Sequence, residues 1–177
     1  MKITFNAKAT LTFAIFSLIG LFFVNSTSTN IFVLNGDFQP DSATWYISTF
    51  TYIFGHSDLE HVVENLALIL LLGPLVELKF GWKKFALMIV STAILTGILH
   101  ALLWDNDLVG ASGISFMLIV VSSLLSAKGK EIPITFILVV LLYLGQEIYT
   151  SFENKEVSHF AHLFGGAMGA FWGFYKS

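Results

Sequence analysis

Long apolar runs constrain this chain more than any other feature. They recur at lengths that can cross a bilayer and predict helices at 9–24, 61–79, 84–103, 112–127, 132–149 and 158–175. Only 12% of the residues are charged and the mean hydropathy is +0.77, whereas soluble domains carry about 25% charged residues. The sequence therefore predicts an all-α, polytopic membrane protein that forms one domain over residues 1–177, with six transmembrane helices.

One connection between the predicted helices is long. Gly81, the turn at 105–107 and Pro133 mark short breaks before the third, fourth and fifth spans. The segment 25–60 is too polar to span a membrane, yet it is rich in aromatic residues, which favour the membrane interface. We expect this segment to lie in the headgroup region on the outer side.

The lysines predict how the chain is oriented. All nine basic residues are lysine, and with six spans only Lys155 falls on the outer side. The positive-inside rule therefore places both termini in the cytoplasm. The first apolar run could instead be a signal peptide, but residues 25–28 contain no Ala-x-Ala cleavage site. We expect this first span to be retained.

Cysteine is absent from the sequence. This absence excludes disulfides, thiol nucleophiles and cysteine-bound metals. We expect no cofactor, no metal and no nucleic-acid partner, and the expected surroundings of the chain are a lipid bilayer.

Four polar residues lie where a membrane should not tolerate them. A strongly polar group in hydrocarbon costs on the order of 2–3 kcal/mol. His61, Asn65, Ser112 and His162 nevertheless lie near the beginnings of the second, fourth and sixth spans, all of which start at the outer side. A helix rises 1.5 Å per residue, so these positions lie only about 6–9 Å below the helix starts. The pattern predicts one shallow, water-accessible pocket.

The residue types in this pocket suit amide hydrolysis. A serine hydroxyl needs a base to take its proton, and His162 is the best-placed candidate for Ser112. The developing oxyanion needs hydrogen-bond donors. The backbone N–H of Ser112 could provide one, and His61 and Asn65, four residues apart on one helix face, could provide others. Glu147 is the nearest acid to orient His162 but is expected at a helix end, so we predict a Ser–His dyad.

These motifs resemble those of the rhomboid family of intramembrane serine proteases. Gly110-Ala111-Ser112-Gly113 looks like the family's Gly-x-Ser-Gly motif, and Ala161-His162 followed by Gly165 and Gly169 looks like its Ala-His segment. Residues 55–61 and Asn65 are similar to the second-helix signature, which continues through Gly73, Glu77 and Gly81. The resemblance runs from about residue 45 to the C-terminus. One departure is Trp45-Tyr46, where many rhomboids have Trp-Arg.

The resemblance implies a six-transmembrane-helix, rhomboid-like bundle that cleaves transmembrane protein substrates. It implies a Ser112–His162 dyad, and oxyanion stabilisation by His61, Asn65 and the Ser112 backbone. It also implies that Phe116 packs near the histidine, and it suggests a bacterial inner membrane with the active site opening outward. The glycines of the last helix, spaced four apart, predict close packing against the fourth span.

Two alternatives remain open. The chain could be a catalytically inactive rhomboid-like binding protein. It could also be a small transporter that uses a metal or proton site built from His56, His61, Glu64, His159 and His162. No His-Glu-x-x-His motif occurs, and a transporter leaves the glycine-flanked serine unexplained.

The remaining polar residues are expected to be structural. We expect His56 to form hydrogen bonds at a loop–helix junction, and His100 and His159 to be interfacial with access to water. Glu77 is expected to brace the loop between the second and third spans. The sequence does not predict the substrate or the oligomeric state.

Overall fold

The computed structural model describes residues 3–24, 31–127, 131–151 and 159–175. The α-helices are α1 Lys8–Val24, α2 Ala43–Thr51, α3 Leu59–Phe80, α4 Trp82–Leu103, α5 Ser112–Ser123, α6 Ile134–Val139, α7 Gly145–Ser151 and α8 His159–Phe174. A 3₁₀ turn at Tyr52–Phe54 follows α2, and a π-helical stretch at Val140–Leu144 joins α6 to α7. Over these ranges the β-structure is a single antiparallel bridge between Leu34 and Leu108. The predicted all-α class is confirmed.

The predicted spans and the observed helices agree in order but differ in detail. By length and composition, α3 and α4 are long and apolar enough to cross a membrane, whereas Lys8–Val24, Ser112–Ser123 and Ile134–Thr150 are shorter apolar helices. The count of six spans therefore stays a prediction. The fourth predicted span stops at Ser123 rather than 127, and the segment 25–60 contains α2, while its residues 25–30 lie outside the described part.

Local sequence signals explain where α3 begins and ends. The Asp58 carboxylate accepts a 2.8 Å hydrogen bond from the backbone N–H of His61 and so caps the first turn. At the other end Gly81 adopts φ +82°, a left-handed conformation that glycine reaches without strain. This turn lets α4 begin immediately and run back along α3.

The α5 helix forms the centre of the bundle and packs closely on α8. Met117, Leu118 and Val121 of α5 are completely buried. A Cβ added at Gly165 would lie 2.1 Å from the Gly113 carbonyl oxygen, and one at Gly169 would lie 2.5 Å from that of Met117. Only glycine allows the two backbones to approach this closely. The predicted glycine-mediated packing of the last helix on the fourth span is confirmed.

Glu77 joins α3 to the first turn of α1. Its carboxylate accepts hydrogen bonds from the backbone N–H groups of Ala9 and Thr10, both at 3.0 Å, and from the Thr10 hydroxyl at 2.9 Å. Glu77 is structural, as expected, but its partners lie at the start of α1, so the expected contact with the loop between the second and third spans is wrong. The carboxylate instead satisfies N–H groups that a helix start leaves without partners.

Contacts at the two ends of the bundle show that the helices alternate in direction. The Glu77 contact places the start of α1 beside the end of α3. At this same end the Lys84 ammonium, near the start of α4, lies 5.0 Å from the ring centre of Tyr175, just after α8. At the opposite end the backbones of Leu34 and Leu108 pair through hydrogen bonds of 2.9 and 2.8 Å. The starts of α3, α5 and α8 therefore meet at one end.

Candidate active site

A cavity of about 660 Å³ opens where α3, α5 and α8 begin. Its lining includes all four residues predicted from the sequence, which are His61, Asn65, Ser112 and His162. The loop 106–109 and several acidic and polar side chains complete the walls, among them Asp58, Glu60 and Glu64. The structure therefore brings the predicted residues together in one cavity, which polar and apolar side chains line together.

The turn before Ser112 depends on glycine. Gly110 adopts φ +111°, and a Cβ there would lie 2.6 to 2.7 Å from Cε1 and Nε2 of the His61 ring. The Gly110 N–H donates to the Tyr52 carbonyl at 3.0 Å, which fixes the turn. Ser112 is the first residue of α5, where backbone N–H groups have no carbonyl partner within the helix. This position favours binding of a negative charge next to the Ser112 hydroxyl.

The ring of Phe116 holds the His162 imidazole against α5. The two rings are parallel, with an angle of 5° between their planes and 4.4 Å between their centres. The predicted packing of Phe116 near the histidine is confirmed. Across the described residues no hydrogen bond joins the Ser112 hydroxyl to this imidazole. Catalytic hydrogen bonds often shorten only once a substrate is bound.

Asn65 is held by a residue that sequence reasoning missed. Its side-chain N–H donates to the His61 carbonyl at 3.0 Å, and its Oδ1 accepts a 3.0 Å hydrogen bond from the Ser115 hydroxyl. Ser115 lies three residues after Ser112, on the same face of α5, so its spacing was a usable signal. The two bonds fix the Asn65 amide at the cavity wall.

A comparison with protein-family models assigns the chain to a family. The family model of the rhomboid domain matches residues 42–177. The chain belongs to the rhomboid family. The rhomboid protease GlpG of Haemophilus influenzae is 22% identical over 142 residues, which cover 78% of this chain and 73% of that protein. Membership makes this rhomboid chain an integral membrane protein of an intramembrane protease family.

Glu147 of α7 lies close to two histidines of α8. Its Oε2 atom lies 2.8 Å from His159 Nδ1 and 2.9 Å from His162 Nδ1. The His159 contact is a hydrogen bond, whereas the orientation of the His162 ring does not give hydrogen-bond geometry. Glu147, the acid that the sequence analysis named as nearest to His162, therefore does lie beside it, in the first turn of α7. The usable signal was the pair His159 and His162, which lie on one face of α8 close in sequence to Glu147.

Two further histidines of the rhomboid chain are buried. His56 is completely buried at the junction before α3, and its Nδ1 lies 3.3 Å from the Phe54 carbonyl oxygen, as expected for a structural residue. Burial and, secondarily, the nearby His61 lower the pKa of His56 to about 4. His100 is also buried, with Nε2 2.8 Å from the Asn106 carbonyl oxygen, so the expected water access is wrong for that residue.

In the described part of the chain, the five residues of the transporter alternative do not form a single cluster of metal ligands. In the ranges that the structure describes, the one group of possible metal ligands is Glu147, His159 and His162, whose ligand atoms lie within 4.8 Å of one another. His56, His61 and Glu64 do not join this group. The structure therefore splits the histidines between two neighbouring clusters.

Proposed function

We propose that this chain is a serine endopeptidase that hydrolyses peptide bonds in or near the transmembrane segments of membrane-protein substrates. Ser112 is the nucleophile and His162 its base. The observation that carries the proposal is the shared cavity, which Ser112, His162, His61 and Asn65 line together at one end of the helix bundle. Membership of an intramembrane protease family supports the same reaction.

The proposed reaction begins when a substrate carbonyl carbon meets the Ser112 hydroxyl. The His162 imidazole accepts the hydroxyl proton as the serine oxygen attacks, and a tetrahedral intermediate forms. The negative oxygen of that intermediate receives hydrogen bonds from the Ser112 backbone N–H and from the side chains of His61 and Asn65. Such donors stabilise the transition state because they are already fixed in place.

Collapse of the intermediate breaks the peptide bond. His162 returns the proton to the leaving amine, and Ser112 remains acylated. Water entering through the opening of the cavity attacks the acyl group, with His162 again accepting a proton. The bond to Ser112 then breaks, His162 returns the proton to the serine oxygen, and the carboxylic acid product leaves. The acidic and polar lining around Asp58, Glu60 and Asp107 suits a supply of water.

The substrate must expose a peptide bond before it can react. Inside hydrocarbon a helix keeps its backbone hydrogen bonds, because lipid offers no replacement. We propose that the substrate unwinds near the outer face, at a segment with helix-breaking or small residues. On this proposal the cavity opens on the side opposite to the cytoplasmic termini.

The test uses purified protein in detergent or liposomes, without added metal. Wild type is compared with Ser112→Ala and His162→Ala for labelling by a fluorophosphonate and for cleavage of a transmembrane substrate. Both variants should lose labelling and cleavage, with a fall in rate of at least about a thousandfold. The matched control is Ser123→Ala at the other end of α5, where the hydroxyl donates only to the Val120 carbonyl.

Three results would contradict the proposal. Cleavage that survives Ser112→Ala would exclude that serine as nucleophile. Cleavage that needs a metal ion would point to different chemistry. A wild-type protein that neither labels nor cleaves would favour the catalytically inactive rhomboid-like alternative.

A further inference from the structure

A carboxylate on α7 lies against the proposed base. Glu147 Oε2 is 2.9 Å from His162 Nδ1 and also accepts a 2.8 Å hydrogen bond from His159 Nδ1. The side chains of Glu147 and His162 are only 14% and 13% exposed, so little water competes for these contacts. The reaction of the proposed Ser112–His162 dyad does not involve this acid.

The position of the acid determines which ring nitrogen can serve as the base. A neutral imidazole carries its proton on one nitrogen and a lone pair on the other. A carboxylate is an acceptor only, so it favours the form of His162 with the proton on Nδ1. That form leaves the lone pair on Nε2, the nitrogen on the side of the ring away from Glu147. A base needs such a free lone pair, so this form suits the proposed role of His162 as the base for Ser112.

The contact with His159 fixes the carboxylate itself. Because Oε2 already accepts a hydrogen bond from His159, the Glu147 side chain cannot swing away without losing that bond. The ring of Phe116 covers one face of His162, so the imidazole is restrained by a stack and by a carboxylate at its edge. A small rotation of the ring would align its N–H with Oε2, since the separation is already a hydrogen-bond distance.

We propose that Glu147 is a positioning residue for His162, held in place by His159, so that the site works as a Ser112–His162–Glu147 arrangement. This inference rests on the proposed protease function. The carboxylate keeps the proton on Nδ1 and stabilises the imidazolium that forms when Ser112 loses its proton. Glu147 does not contact the substrate and is not itself a catalytic residue.

The test separates positioning from simple support of the fold. Wild type, Glu147→Ala, Glu147→Asp and His159→Gln are compared for kcat, KM and thermal unfolding in the same detergent. Glu147→Ala should lower kcat on the order of 10- to 100-fold and leave KM within about twofold, because the loss affects the chemical step. Glu147→Asp should recover part of kcat, and His159→Gln should lose less than Glu147→Ala. Glu131→Gln, an exposed acid before α6, is the charge control and should match wild type.

A spectroscopic readout reports the proton directly. In Ser112→Ala protein labelled with ¹⁵N-histidine, His162 should carry its proton on Nδ1, and adding Glu147→Ala should populate the Nε2–H form. A resonance that does not change between the two proteins would overturn the inference.

The remaining outcomes are equally decisive. A wild-type kcat in Glu147→Ala would overturn this inference but not the protease proposal, provided that Ser112→Ala is inactive in the same assay. A kcat loss that follows a loss of thermal stability and is not recovered by Glu147→Asp would assign Glu147 a structural role and also overturn it. Inhibition by a chelator would make the three residues a metal site. Activity that survives Ser112→Ala would instead reject the protease proposal itself.

Discussion

The stack of Phe116 on His162 offers a test at the scale of single residues. An aromatic pair of this kind contributes about 0.5–1.5 kcal/mol, and the parallel rings here also limit rotation of the imidazole. Phe116→Ala should lower kcat about tenfold, since a freed ring spends less time in the reactive orientation. Phe116→Tyr keeps the ring and should stay within about twofold of wild type. Equal loss in both variants would contradict this role.

His56 predicts a dependence of stability on pH. Its pKa is about 4 in the folded protein, against 6.5 for an unperturbed histidine, because burial disfavours the charged ring. Above pH 6.5 the His56 ring is neutral in both the folded and the unfolded protein. Between pH 6.5 and 4 only the unfolded chain binds the proton, so stability should fall by about 3 kcal/mol as the pH decreases through this range.

The measurement is the thermal unfolding of purified protein in detergent between pH 7.5 and 4. His56→Gln removes the titrating group, so its unfolding temperature should vary less with pH than that of wild type. Identical pH profiles for the two proteins would show that groups other than His56, such as carboxylates, cause the change in unfolding temperature.

Sequence reasoning grouped His61, Asn65, Ser112 and His162 correctly because each is a polar residue near the start of an apolar span. That signal depends only on the direction of each helix and on the depth of the residue in the membrane, and the order and length of the apolar spans predict both. It missed Ser115, named Glu147 without assigning it a contact with His162, and misjudged His100, because those contacts depend on the rotation of each helix about its axis. Rotation follows from packing, which the sequence pattern does not specify.

At the scale of helices, the packing around two glycines, one in the α5–α8 contact and one at the start of α7, predicts opposite effects of alanine. Gly165→Ala would place a Cβ 2.1 Å from the Gly113 carbonyl oxygen and should destabilise the protein by about 2 kcal/mol or more. Gly145→Ala meets nothing within 4 Å and should be neutral or stabilise by up to about 1 kcal/mol. Unfolding in detergent measures both. A neutral Gly165→Ala would mean that the helices are farther apart.

The anchor between α3 and α1 makes a second prediction about helices. Glu77→Ala removes three hydrogen bonds and leaves the buried donors of Thr10 and the partly buried N–H of Ala9 unsatisfied, so it should destabilise by about 2–4 kcal/mol. Glu77→Gln can still accept some of these bonds and should cost less. Glu131→Ala controls for loss of an exposed acid. Equal stability of all three variants would contradict the anchor.

The helix boundaries show where apolar patterns stop being informative. The span pattern gave the order of the long helices, but the π-helical stretch within 132–149 was not foreseen, since that stretch is as apolar as an ordinary helix. The α2 helix within 25–60 was missed for the opposite reason. The α2 helix is short and contains both polar and apolar residues, so its N-cap at Ser42 was the only clear local signal.

For the molecule as a whole, the distribution of lysines predicts the side on which the cavity opens. The structure places the start of α1 and the end of α3 at one end, and the cavity at the end where α3, α5 and α8 begin. The positive-inside rule makes the first of these ends cytoplasmic. The absence of cysteine allows single cysteines to report each side without background.

Asp37→Cys and Glu131→Cys test this orientation without removing a lysine. Both residues are exposed; Asp37 lies in the segment predicted to be outside, and Glu131 precedes the fifth predicted span on the inner side. In intact bacterial cells a membrane-impermeant maleimide should label Asp37→Cys only, and Glu131→Cys should react once the membrane is opened by detergent. The reversed pattern would place the cavity on the cytoplasmic side. Ser112 would then meet its substrates from inside the cell, and the proposed opening of the cavity on the side opposite to the cytoplasmic termini would be wrong.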